Sequence, residues 1–204
     1  MSHIFLRPTL LCFTLALATI AVACGGSPSK SVEADATTTS APTTVLPTTT
    51  TVHPGTLPQT EEKPPATSTL FDTHMKALAD AIITNGPTKG LSSFFPVDAY
   101  KQTKKNTDPA ADWKNRLIAN FNVDVTNANK LLGPNAASAV FQGIDVPNTA
   151  IWVKPGEEYN VGPYWRVFKA QMVFSVDKKT IRVPIESMIS WRGQWYVVHL
   201  GKIR

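Results

Sequence analysis

Between Gly25 and Ala66 the chain contains almost nothing from which a core can be built. Thr37-Thr38-Thr39, Thr43-Thr44 and Thr48 to Thr51 alternate with Pro42, Pro47, Pro54, Pro58, Pro64 and Pro65, and no Phe, Trp or Tyr occurs. Such a stretch buries too little apolar area to offset the entropy of ordering it, so residues 24–66 are expected to form a disordered, locally extended linker. Its ~42 residues would average roughly 35 Å end to end as flexible coil, and on the order of 130 Å if polyproline-like. A spacer is the plain reading, and an O-glycosylated Ser/Thr/Pro stalk the sharper one. Either way, a folded domain is confined to residues 67–204 of the 204.

Ahead of the linker lies a different composition. Residues 1–23 carry one formal cation, Arg7, and no acid. From Leu10 to Val22 the chain is apolar or small. A basic start, an apolar stretch and small residues at its end make up an export signal. The stretch is roughly 13 residues, whereas a helix needs about 20 to span a bilayer. Of the two cysteines, Cys12 sits inside this signal, which leaves Cys24 alone in the chain after processing. One cysteine forms no intramolecular disulfide, and exported chains that use cysteine structurally carry an even number.

The segment Ala21-Val22-Ala23-Cys24-Gly25-Gly26-Ser27 resembles a lipobox, the processing site of bacterial lipoproteins. That resemblance implies cleavage before Cys24, a diacylglycerol on its thiol, and tethering to the extracytoplasmic face of the cell membrane. Two acyl chains, at about 0.8 kcal/mol per buried methylene, hold a small domain stably where one is marginal. The family prefers Leu where this chain has Ala21. Ala21-Val22-Ala23 also satisfies the small-x-small rule of ordinary signal peptidase, which would release a soluble protein. Threonine-rich stalks after a lipobox resemble those of lipoproteins from high-GC Gram-positive bacteria.

In the domain, Thr69 with Asp72 reads as a capping box, and Phe71, Met75, Leu78 and Ile82 follow at helical spacing up to Asn85-Gly86-Pro87. A second helix is expected from Asp108-Pro109, with Trp113, Leu117, Phe121, Val125, Ala128 and Leu132 on one face, stopped by Gly133-Pro134. Strands are then expected over 139–146, 149–154, 164–176, 180–191 and 194–200, with turns at Asp177-Lys178-Lys179 and Arg192-Gly193. Pro184 within the fourth implies an edge position or a bulge. Helices first and an antiparallel meander afterwards define an α+β domain, its N-terminal helices packed on a curved sheet.

The closing hairpin, Ile189-Ser190-Trp191-Arg192-Gly193-Gln194-Trp195-Tyr196-Val197-Val198, resembles the last two strands of the cone-shaped domains related to nuclear transport factor two. A cystatin-like sheet wrapped on a helix is the alternative. Neither likeness carries a function.

Chemistry is sparse. No His-x3-His, His-Glu-x-x-His, Gly-x-Ser-x-Gly or phosphate-loop spacing occurs, so neither metal nor cofactor is expected. His74 borders the apolar stripe of the first helix and reads as structural. Strict alternation puts Trp195, Val197 and His199 on one strand face, and Trp165, Trp195 and His199 are the candidate lining of a ligand pocket. The domain carries 17 Lys/Arg against 11 Asp/Glu, with clusters at Lys101, Lys104, Lys105 and at Lys178, Lys179, Arg182. In an exported chain such charge suits solvated turns, anionic headgroups or wall polymers rather than nucleic acid. The expected function is a non-catalytic binding or accessory domain displayed in the cell envelope, its partner an envelope protein, an anionic wall polymer or a small apolar ligand. The alternative is an envelope hydrolase drawing acid and base from Asp98, Asp112, Asp145, Glu158 and His199.

Overall fold

The computed structural model describes residues 57–203. The expected export signal, Cys24 and the expected spacer as far as residue 56 lie outside the described residues. The expected α+β class is observed. Among the described residues four α-helices come first, α1 (Thr69–Ile83), α2 (Val97–Thr103), α3 (Pro109–Asp112) and α4 (Ala119–Leu132), followed by β1 (Val140–Asp145), β2 (Ile151–Val153), β3 (Tyr164–Val176), β4 (Lys179–Trp191) and β5 (Gln194–His199). The strands form one antiparallel sheet in the order β1-β3-β4-β5, and β2 pairs with the start of β3.

Helix α1 begins one residue earlier than its capping box implied. Ser68 is the N-cap, and its hydroxyl accepts from Phe71 N at 3.1 Å. The predicted apolar stripe is the buried one: Phe71, Met75, Leu78 and Ile82 are all at most 1% exposed. At the other end of α1, Asn129 of α4 donates to the carbonyls of Ile82 (2.9 Å) and Ile83 (3.2 Å), satisfying acceptors that a helix terminus leaves open.

The second expected helix is not uniform. Asp108 caps Pro109 as expected, accepting from Ala111 N at 2.9 Å, but Trp113–Ile118 forms a π-helical segment between α3 and α4. The sequence explains it. Trp113, Leu117, Phe121 and Val125 recur every four residues, and each such step overshoots a 3.6-residue turn by about 40°. A wider turn absorbs the excess and keeps the residues on one side. Trp113 then donates its indole N–H to Phe95 O at 2.7 Å, while Phe95 N donates to Val197 O at 2.9 Å. The Phe94-Phe95 segment thereby covers the outer edge of β5.

Strand β4 is interior, yet Pro184 is accommodated as at an edge. Pairing with β5 runs only from Ser187 to Trp191, so Pro184 lies past the end of β5. Both long hairpins turn through two left-handed residues, Asp177-Lys178 and Arg192-Gly193, the geometry that matches strand twist. Two irregularities sit side by side in the middle of the sheet. Lys169 of β3 has φ +62°, and the β4–β5 register shifts between Ser187 and Met188, where Val198 is the extra residue of β5.

The expected linker runs to residue 66, and its last ten residues, 57–66, are among the described ones. Residues 57–66 lie along the sheet rather than apart from it. Gln59 clamps the last hairpin, its Oε1 accepting from Arg192 N (2.5 Å) and its Nε2 donating to Pro163 O (3.0 Å) and Ser190 O (3.4 Å). Trp165 donates its indole N–H to Glu61 O (2.9 Å), and the buried Trp195 donates its own to Pro64 O (2.8 Å). Composition conceals this. Proline carbonyls accept as well as any others, and the donors are tryptophans far along the chain.

Two outcomes are expected from this packing. A Cβ at Gly201 would lie 2.6 Å from Asp124 Oδ1, whose carboxylate already accepts from Gly201 N at 3.1 Å. Gly201→Ala should therefore cost roughly 1–3 kcal/mol in urea unfolding through overpacking. A chain beginning at Thr67 should be less stable than one beginning at Leu57 by roughly 2–4 kcal/mol, because Trp195 loses its cover and its acceptor. Equal midpoints for the two chains would show that the segment does not contribute.

Candidate functional site

The face of the sheet turned toward α2 and the π-helical segment carries an open cavity of about 330 Å³. Each wall comes from a different element. Helix α2 supplies Tyr100 near its middle, and Lys104 follows directly after it. The π-helical segment supplies Arg116 and Leu117. Alternation along β3 presents Tyr164, Arg166 and Phe168 to the same side, and the loop before β3 contributes Glu158 and Tyr159.

The bonding inside the cavity is organised around two carboxylates. Arg116 grips Asp112 in a fork, Nε to Oδ1 at 2.8 Å and Nη2 to Oδ2 at 2.6 Å. Asp112 also accepts from Tyr100 Oη at 2.5 Å and from Asn106 Nδ2 at 2.7 Å. The Arg116 contact, with these further donors, holds the Asp112 carboxyl below the usual carboxylate range. Glu158 pairs with Arg166 and accepts from Tyr164 Oη at 2.9 Å. Tyr164 Oη in turn accepts from Lys104 Nζ at 2.7 Å, and the ammonium lies 4.9 Å from the centre of the Tyr164 ring.

Burial dominates the remaining protonation equilibria. It pulls Lys104 down to about 8, with Arg116 and Arg166 adding repulsion. Burial, then the hydrogen bond to Asp112, pushes Tyr100 up to about 12, and burial raises Tyr164 as well. His199 is lowered chiefly by burial and next by Arg116.

The structure separates the predicted pocket residues. His199 lines the cavity, with Val198 beside it. Trp195 lies elsewhere, in a groove of about 360 Å³ formed with Pro64, Pro65 and Pro147. Trp165 packs against Trp152 in a tilted pair, ring centres 5.7 Å apart, and donates to Glu61 O. Strict alternation would put Trp195 and His199 on one face, but the extra residue at Val198 breaks the phase between them. Among the hydrolase candidates, Glu158 and His199 line the cavity and Asp112 borders it through Tyr100 and Arg116. Asp98 pairs with exposed Lys101, and Asp145 pairs with Arg182, both away from the cavity.

Lys104, Arg116, Arg166, Tyr100 and Tyr164 line the cavity without being among the residues expected there from the sequence. By position alone, Lys104 belongs with Lys101 and Lys105 in a surface charge cluster. A usable signal is present at Tyr164-x-Arg166-x-Phe168, where a cation alternates with aromatic residues on one strand face. His74, expected to be structural, is buried beside Tyr196 with ring centres 5.5 Å apart. Among the described residues no group of three or more His, Cys, Asp or Glu side chains is placed to hold a metal.

These equilibria imply a particular pH profile. A lysine lowered in the folded state binds fewer protons there than when unfolded, so stability should rise as pH increases from about 8 to about 10. Lowered His199 adds stability as pH rises through the ordinary histidine range. The raised tyrosines reverse the trend, and stability should fall above about pH 10 as the unfolded chain ionises them first. Urea unfolding across this range should peak near pH 9–10, and Lys104→Met should abolish the rise above pH 8. No protein-family model, curated protein or solved structure matches the chain.

Proposed function

We propose that the chain is an exported lipoprotein, acylated at Cys24 and held at the extracytoplasmic face of the cell membrane, whose domain binds a small molecule without turning it over. The cavity carries the binding half of this reading. It is open, about 330 Å³ in volume, which is within the range of small-molecule sites, and its convergent polar and charged groups alternate with Leu117, Phe168 and Ile189. The lipobox resemblance at residues 21–27 and the solitude of Cys24 carry the anchoring half. Helices preceding most of the sheet, and the bent β3–β4–β5 surface, are compatible with the cone-shaped domains that the closing hairpin resembles.

The non-catalytic part rests on what the carboxylates do. A general acid at neutral pH needs a carboxyl raised by its surroundings. Asp112 is lowered instead, and Glu158 is engaged by Arg166 and Tyr164. The meeting of Glu158 and His199 in one cavity favours the hydrolase alternative. If it holds, chromogenic ester or glycoside substrates will be cleaved by the wild-type protein and not by Glu158→Gln. Equal background rates for both proteins are the expected result.

Anchoring has a direct test. Intact-mass measurement of the membrane fraction should find a diacylglyceryl group on Cys24, and Cys24→Ala should appear in the medium or remain unprocessed. Unmodified wild-type protein in the medium, beginning at Cys24, would indicate ordinary secretion.

A further inference from the structure

Charge is unevenly satisfied inside the cavity. Arg116 is matched by Asp112, and Arg166 by Glu158. Lys104 has no carboxylate within ion-pairing distance among the described residues. Its ammonium donates to two uncharged oxygens, Tyr164 Oη at 2.7 Å and Glu158 O at 3.3 Å, and these leave one of its three N–H groups for another acceptor. The Nε of Arg166 is buried with no hydrogen-bond partner. Both cations converge on Glu158 from different walls, Lys104 at the end of α2 through the backbone carbonyl and Arg166 of β3 through the carboxylate. An ammonium removed from water with no direct ion-pair partner is costly, as is a buried donor without an acceptor.

The rim has the opposite character. Tyr159 is 79% exposed and Ile203 46% exposed, although both line the opening. Tyr159 is held there in a left-handed conformation, φ +56°, its carbonyl accepting from Lys105 N at 2.9 Å. A bulky residue at positive φ is unfavourable and persists only where its surroundings over-determine it. Phe168, Ile189 and Val198 continue this apolar surface inward.

We propose that the cavity takes an organic oxyanion, a carboxylate or phosphate group carried on an apolar body, with the anionic head at Lys104 and Arg166 and the body lying outward toward Tyr159. The oxyanion supplies the counter-charge Lys104 lacks and an acceptor for Arg166 Nε. A cation would meet surplus positive charge, and a neutral ligand would leave the ammonium uncompensated. This rests on the reading of the cavity as a binding site.

Titration calorimetry on the full chain in detergent tests it with four probes: phenyl phosphate, phenylacetate, the neutral phenylacetamide, and inorganic phosphate. At least one of the two aromatic anions should bind tenfold or more tightly than both phenylacetamide and inorganic phosphate, and the tighter of the two identifies the head group. Lys104→Met should weaken that binding at least tenfold and Lys104→Arg should restore most of it. Lys178→Met, at the distant β3–β4 turn, should change nothing. Arg166→Gln provides a second variant if Lys104→Met melts early. Phenylacetamide binding as tightly as the anions would overturn the charge assignment and leave the cavity a ligand site. Failure of all four probes to bind would overturn both readings. Tight binding of inorganic phosphate alone would remove the apolar body from the proposal, and binding unaffected by Lys104→Met and Arg166→Gln would place the anion elsewhere.

Discussion

The architecture depends on a single dislocation in the middle of the sheet. Strands β3 and β4 are each 13 residues long, enough to build a continuous twisted ribbon. Left regular, that ribbon would keep one hydrogen-bonding phase throughout, and the last strand would alternate cleanly. Instead Lys169 of β3 turns left-handed, and across β4 the strand β5 carries the extra residue Val198 between its pairs with Ser187 and Met188. Bulges of this kind bend a sheet and redirect side chains. Here His199 faces the cavity while Trp195 faces the groove on the other side. Pro184 is tolerated for a related reason, since β5 no longer flanks β4 at that point.

The helical layer meets this bent surface through a second irregularity. A straight helix from Pro109 to Leu132 would carry its four-residue apolar rhythm off the core, and the π-helical segment prevents that. The same segment brings Arg116 to the cavity wall four residues after Asp112, where the pair also receives Tyr100 from α2. Core packing and site geometry therefore share one cause. The apolar spacing that requires the wide turn also fixes where the guanidinium emerges.

Much of the fold is legible in the sequence because it is written in local pattern. The stripe of Phe71, Met75, Leu78 and Ile82, the cap at Asp108-Pro109 and the turn at Arg192-Gly193 each act over a few residues. The site is far less legible. Trp195 and His199 share a face only under an alternation that a one-residue bulge cancels, and nothing local announces that bulge. Lys104 is indistinguishable from Lys101 and Lys105 by sequence, because its burial depends on Tyr164, some sixty positions away. The docking of residues 57–66 is hidden for a similar reason. Its apolar partners and donors, Trp165 and Trp195, lie on strands that assemble only in the folded domain.

That docked segment also determines how the domain responds to mechanical load. A pull on the chain ahead of Leu57 meets the attachments one after another: Gln59 on Arg192, Glu61 on Trp165, Pro64 on Trp195. Peeling breaks such bonds sequentially, at a lower force than shearing them together. Once released, its ten residues can extend to at most about 33 Å before tension reaches α1. The ten residues therefore act as an extensible fuse, yielding first and leaving the cavity intact behind them.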